Sequence, residues 1–202
     1  MKNYNEIYSS SNISEEIKPS QILNLVWQTF TSGCNVLDLG CGQGRDSIFL
    51  AKNGFKVTAV DKSEVAINQL FIKKDEFNLE NFNLVCGDIT SFKLSQDEYQ
   101  VVICRNVLNF LNKEAALVVI EGIKENVKVG GYVIIEVFTK DDPSFSGKSK
   151  FASYFDEQEL LNIFFDYKKI YYLENTILDP GHLGFTTAHK HGVSRIVAMK
   201  RN

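Results

Sequence analysis

The chain has 202 residues, 44% of them hydrophobic, and its 25 acidic side chains outnumber 22 basic ones for a formal net charge of -3. That length and apolar share suit a single domain over residues 1–202 around one core, and the acidic balance supplies no cationic field for a nucleic-acid backbone. No apolar run is long enough to span a bilayer, so a soluble, cytoplasmic monomer or homodimer with no nucleic-acid and no membrane partner is expected.

A polar start, MKNYNEIYSSSNISEEIKPS, leads into PSQILNLVWQTF (19–30), whose apolar spacing predicts a helix. Residues 1–30 are expected to form an N-terminal cap, with Tyr4 and Tyr8 either folded over a ligand or frayed. From residue 34 to 138, short apolar runs alternate with helical patterns. The predicted strands are CNVLDL (34–39), FKVTAV (55–60), FNLVC (82–86), YQVVIC (99–104) and YVIIEVF (132–138); DSIFLAKNG, SEVAINQLFIKKDEF and KEAALVVIEGIKENVK are predicted helices. Such alternation marks βαβ units, so these strands form one doubly wound parallel sheet of the α/β class.

TKDDPSFSGKSK follows, polar and carrying Pro143 and Gly147, and residues 139–155 read as a loop able to act as a lid. FDEQELLNIFF is a predicted helix with Asp156 near its start, and YKKIYYLE (167–174) and SRIVAMK (194–200) are the last two predicted strands. The nineteen residues between those strands hold Pro180, Gly181 and Gly184 without a helical pattern, so a hairpin and an antiparallel last strand are expected. Cys34, Cys41, Cys86 and Cys104 form no CxxC pair, which argues against a zinc ribbon or a thioredoxin-like motif and leaves free thiols.

The sharpest motif is VLDLGCGQGRDSIFLA (36–51), a buried strand that runs through Gly40, Gly42 and Gly44 into a helix. Glycines there let the backbone turn tightly and approach a ligand. A dinucleotide fingerprint would place a glycine at position 45, where this chain has Arg45, and Asp38 would face the pyrophosphate. The loop therefore suits a nucleotide-type cofactor carrying positive charge, and a nicotinamide-dependent oxidoreductase is disfavoured. Asp61 ends the second strand, placed to accept hydrogen bonds from ribose hydroxyls; Asp88 ends the third, in VCGDIT, placed to meet an adenine amino group. Read singly, each acid has a helix cap or turn residue as its alternative, which the three together with the glycines make the lesser reading.

VLDLGCGQGRDSIFLA resembles motif I of the class I S-adenosylmethionine-dependent methyltransferases, and Asp61, GDIT (87–90) and VGGYVIIEVF (129–138) fall where that family has its later motifs. GCGQGRDSIFLAKNGFKVTAVDKSEVAI followed by VLNFLNKE is most similar to the tellurite-resistance methyltransferases, with Val129 standing where relatives often have proline. The resemblance implies a Rossmann-like, seven-stranded sheet of order 3-2-1-4-5-7-6 with strand 7 antiparallel. It also implies S-adenosyl-L-methionine as cofactor and S-adenosyl-L-homocysteine as product. Asp38, Gly40, Cys41 and Gly42 then flank the methionine part, Asp61 and Lys62 the ribose, and Asp88 with Ile89 the adenine. Arg45 is expected to pair with the methionine carboxylate or, alternatively, with Asp46 or Asp75.

A sulfonium donor is already activated, so methyl transfer needs an aligned acceptor more than acid or base help. A thiolate or a reduced chalcogen oxyanion such as tellurite or selenite needs no deprotonation, which favours a small soft acceptor. The residues after strand four, CRNVLNFL (104–111), should lie nearest the methyl: Arg105, Asn106 and Asn109 as polar contacts, and Val107, Leu108 and Phe110 as walls or as ordinary core. Asn106 lacks the Pro-Pro-Tyr context of amino-group methyltransferases. A non-catalytic cofactor-binding regulator on the same fold, or a methyltransferase of another small metabolite, are the competing readings.

All three histidines, His182, His189 and His191, fall in DPGHLGFTTAHKHG, near the expected acceptor side. Three roles stay open: a polar hairpin, an anion-binding or general-base role for His182 or His189, and a metal site. The last would need a further acid, and Asp179 is the one close in sequence, so no metal is assigned. Catalytic candidates are thus Asn106, His182 and His189.

Overall fold

The computed structural model describes residues 4–11, 13, 16–145, 152–181 and 187–202. Its central strands follow from composition. NVLDL (β1, Asn35–Leu39), VVICR (β4, Val101–Arg105) and YVIIEVF (β5, Tyr132–Phe138) are buried along nearly their whole length, as strands covered on both faces must be. β2 (Lys56–Asp61) and β3 (Phe82–Cys86) extend the sheet on one side, and β6 (Lys168–Asp179) and β7 (His189–Met199) on the other. The order is β3-β2-β1-β4-β5-β7-β6. β1 to β5 are parallel, while β7 runs antiparallel to both β5 and β6. The expected topology is therefore the one observed.

Helices cover both faces. α2 (Gln21–Asn24), α3 (Arg45–Lys52) and α4 (Glu64–Glu76) bury Ile22, Leu23, Ile48, Leu50, Ile67 and Leu70 on one face. On the other, α5 (Lys113–Asn126) and α6 (Glu159–Ile163) bury Ile120, Ile123 and Leu160. α1 (Tyr4–Ser9) rests on α4. Ser20, Ser63 and Asn112 cap α2, α4 and α5 by accepting backbone hydrogen bonds from Leu23, Ala66 and Ala115, each worth about 1 kcal/mol. Among the described residues no helix is long and apolar enough to cross a membrane. The four cysteines are free thiols.

Three elements differ from their sequence reading. The helix expected over 19–30 is one turn, α2, followed by a tighter 3-10 turn at Trp27–Thr29. Ile22, Leu23, Val26 and Phe30 are all buried, so the apolar face is kept although the helix is not. The helix expected over FDEQELLNIFF is shortened to α6, Glu159–Ile163, with Asp156 before its start. Gln158 occupies the N-cap position, and Asp156 pairs with Lys140 at 2.5 Å. The last hairpin is longer than expected: β6 continues to Asp179 and β7 begins at His189. β6 is an edge strand paired on one side only, so the polar stretch ENTILD extends it without burying charge.

Candidate functional site

At the carboxyl edge of the parallel strands, the glycine loop is held open by three left-handed residues, Gly40, Gly42 and Gly44, with φ of 73°, 54° and 71°. A Cβ on Gly40 would lie 2.5 Å from Val107 Cγ2, so the tight loop also sets how closely the segment after β4 approaches. The Gly40 and Cys41 N–H groups donate to the Val60 carbonyl at 2.8 and 3.0 Å. Asp61 Oδ2 accepts from Gly42 N at 2.8 Å and Oδ1 from Ser63 N at 2.9 Å. Asp61 thus clamps the loop to the end of β2 while keeping a carboxylate at its mouth.

Asp38 is buried beneath the loop and accepts from Ser47 Oγ at 2.5 Å. Burial, with Asp46 alongside, pushes its carboxyl up to about 7. Burial and the neighbouring Asp38 and Asp61 charges also push the Cys41 thiol well up, so Cys41 lines the loop as a neutral group. Asp88, exposed at the end of β3, accepts from Thr90 N at 2.9 Å and Thr90 Oγ1 at 2.8 Å, which with the nearby Lys62 charge hold it below the usual carboxylate range. Ile89 beside it is buried in the core. Asp38, Asp61 and Asp88 therefore end three adjacent strands along one edge, as their spacing predicted.

The two arginines expected at the cofactor each make protein contacts. Arg45 Nε donates to the Lys18 carbonyl at 3.1 Å and holds the segment before α2. Arg105 bridges Asp46 at 2.8 Å and Glu136 at 2.9 Å, and Glu136 also binds Arg195 at 3.1 Å. Burial alone would raise Glu136, but the two guanidiniums hold it below its ordinary value. A charge network of this kind, drawn from α3, β4, β5 and β7, has no local sequence signature; four charges far apart in the chain close on one point.

α1 lies over the loop. A Cβ on Gly42 would meet the Tyr8 hydroxyl at 2.8 Å, and Tyr4 packs edge-on to Phe110 with ring centroids 5.1 Å apart. Burial and the Asp61 charge push Tyr4 up to about 12 and Tyr8 higher still. Gln69 Nε2 donates to the Tyr8 carbonyl at 2.8 Å, and Gln43 Nε2 donates to Gln69 Oε1 at 2.7 Å. Sequence reasoning named the tyrosines but missed both glutamines, whose amides tie α1 to the glycine loop and α4.

Beyond β4, Asn106 is exposed in a left-handed conformation, φ 55°, with its N–H donated to the Glu136 carbonyl at 3.2 Å. Leu108 and Asn109 are fully buried. Asn109 Oδ1 accepts from Phe138 N at 2.8 Å and its carbonyl accepts from Ala152 N at 2.8 Å, so it fastens both ends of the 139–155 loop instead of facing an acceptor. The His191 ring stacks on Phe138 at 4.5 Å. Its Nδ1 lies 2.8 Å from Asp142 Oδ2, and its Nε2 lies 2.8 Å from His189 Nε2. His182 lies outside the described residues. Asp142 was missed in the sequence; its clue is Gly192, where a Cβ would sit 2.4 Å from Asp142 N. Only glycine lets the turn after β5 press against β7 there.

Sheet order, glycine loop and acidic strand ends together define the Rossmann-like fold of the class I S-adenosylmethionine-dependent methyltransferases. The model of the family described as tellurite resistance protein TehB matches residues 3–190. The chain belongs to that family. It is similar to the "Probable S-adenosyl-L-methionine-dependent methyltransferase TehB" of Haemophilus influenzae, 37% identical over 146 residues that make up 71% of this chain and 49% of that protein. The chain thus spans about half the length of the curated relatives it matches. The crystal structure of TehB from Haemophilus influenzae superposes with a TM-score of 0.81 at 27% identity, covering 98% of this chain and 68% of that one. A methyltransferase from Methanosarcina mazei shares the fold, with a TM-score of 0.69 at 17% identity and coverage of 95% and 99%.

Proposed function

We propose that the protein transfers a methyl group from S-adenosyl-L-methionine to a small, soft acceptor, a thiol or a reduced chalcogen oxyanion. The observation that carries this reading is the row of Asp38, Asp61 and Asp88 around a left-handed glycine loop on one sheet edge. Asp38 and the loop of Gly40, Cys41 and Gly42 would face the charged methionine part, Asp61 and Lys62 the ribose, and Asp88 with Ile89 the adenine. Tyr4 and Tyr8 would close over the donor and exclude water.

The acceptor side is assigned to Val107 and Phe110, with Tyr4 packed edge-on to Phe110, an apolar wall suited to a nucleophile that arrives already anionic. Asn106 and His189 are the polar groups assigned there, and residues 139–155 are assigned as the lid. Arg45 holds the segment before α2, and Arg105 anchors Asp46 of α3, the helix that follows the loop. Membership of the TehB family and the likeness to a probable S-adenosyl-L-methionine-dependent methyltransferase support the methyl-transfer part of this reading.

Differential stabilisation tests the donor. S-adenosylhomocysteine at 100 times its dissociation constant should raise stability by about 2.7 kcal/mol, and NAD should not. Release of S-adenosylhomocysteine only when tellurite, selenite or a thiol is added would establish transfer. Tight cofactor binding with no turnover on any acceptor would make the chain a cofactor-binding regulator.

A further inference from the structure

The β6–β7 hairpin gathers three metal-ligating side chains, and its register shows why. Asp179 stands directly across from His189, and His191 follows two residues later on β7. All three therefore project from one face. One ligand atom from each lies within 4.8 Å of the other two.

Both imidazoles are held from behind. His191 Nδ1 is 2.8 Å from Asp142 Oδ2, and His189 Nδ1 is 2.9 Å from the Thr187 carbonyl. A carbonyl oxygen only accepts, and a carboxylate likewise, so each Nδ1 carries a hydrogen and each Nε2 is the nitrogen turned inward. Those two Nε2 atoms face each other at 2.8 Å. Either a shared proton or a metal ion lying against both nitrogens satisfies so close an approach, and the carboxylate of Asp179 beside them favours the metal. Carboxylate or carbonyl behind imidazole, with the far nitrogen directed inward, is the outer arrangement that orients histidine ligands in metal sites.

We propose that Asp179, His189 and His191 bind a divalent transition metal ion of the zinc class, with Asp142 and the Thr187 carbonyl fixing the two imidazoles. Two nitrogens and one carboxylate suit zinc or cobalt; magnesium and calcium take oxygen ligands. With Zn–N bonds of about 2.0–2.1 Å, a tetrahedral ion needs the two Nε2 atoms to part by only about half an ångström. Among the described residues three protein ligands come together, and a tetrahedral ion takes one ligand more. The site is independent of the glycine loop, and although His189 is also the polar group assigned to the acceptor side, metal binding is read directly and does not depend on methyl transfer.

The test is a titration of the full, tag-free chain with Co²⁺, in a Cys86→Ser background that removes the exposed thiol. One equivalent should bind with the visible absorption of a four-coordinate nitrogen–oxygen site, and Zn²⁺ should displace it. Asp179→Asn and His189→Ala should each abolish stoichiometric binding, and Asp142→Asn should weaken it about 10- to 100-fold. Circular dichroism and unchanged S-adenosylhomocysteine affinity of Asp179→Asn would show that the fold is intact. Absence of stoichiometric binding, or binding that survives in both ligand variants, overturns the proposal and leaves two imidazoles sharing a proton.

Discussion

The glycine loop and the β6–β7 hairpin meet the same edge of the sheet but are assembled over different distances in the chain. Asp38, the loop glycines and Ser47 lie in a single strand–loop–helix unit, and Asp61 closes it from the neighbouring strand. The hairpin cluster needs Asp142, Asp179, His189 and His191, drawn from two separate segments. The first is a local backbone device that glycine conformation imposes. The second exists only once β5, β6 and β7 are paired. Arg105 joins the two, reaching Asp46 in α3 and the Glu136–Arg195 pair of β5 and β7.

Breaking that joint should have the largest effect. Arg105→Ala leaves Asp46 and Glu136 buried without their shared cation, and a loss of about 3–5 kcal/mol is expected. Urea denaturation measures it; a loss under about 1 kcal/mol would mean that water or Arg195 compensates and that the two regions are not joined there.

Legibility followed the same division. Strand order, the hairpin and the row of Asp38, Asp61 and Asp88 could be read because each rests on a pattern within about one βα unit or on a resemblance carried by contiguous residues. The protein partners of Arg45 and Arg105 were not legible because sequence fixes their position at an element's end but not the group their long side chains find. Arg105 met two buried carboxylates, one of them 59 residues away in the chain. Asp142 was invisible for a similar reason: nothing in TKDDPSF says that β7 will carry Gly192 opposite it.

A smaller loss should separate the regions. Gly192→Ala drives a methyl group into the backbone of Asp141 and Asp142. Overpacking of this kind costs about 1–3 kcal/mol. Thermal melting should show the loss while calorimetry shows unchanged S-adenosylhomocysteine affinity; a matching fall in affinity would mean that the hairpin supports the donor site.

The converse change lies in the loop. Asp61→Asn keeps the side chain's shape but removes charge-assisted hydrogen bonds worth about 1.5–3 kcal/mol each, so cofactor affinity should fall by about tenfold or more. Calorimetry showing equal affinity would refute the ribose assignment.

The smallest effect is one of pH. Because the folded Asp38 carboxyl titrates at about 7, above its ordinary 3.8, the folded chain keeps a proton that the unfolded chain releases. Its contribution to stability is present at low pH and is lost as pH rises through that window. A cationic ligand needs the ionised form, so cofactor affinity should drop about twofold from about pH 8 to about pH 7, with proton uptake by the buffer. Asp38→Asn should bind weakly and without that slope; a slope that persists belongs to another group.

In the proposed function, the edge formed by β1, β2 and β3 holds a methyl donor whose methyl is passed to a soft acceptor. Incubation with S-adenosylmethionine labelled in its methyl group, followed by mass spectrometry of a supplied thiol, selenite or tellurite, tests this most directly. The labelled methyl should appear on the acceptor with an equal amount of S-adenosylhomocysteine, and Asp61→Asn should slow both together. Bound cofactor with no labelled acceptor from any of these nucleophiles would contradict it.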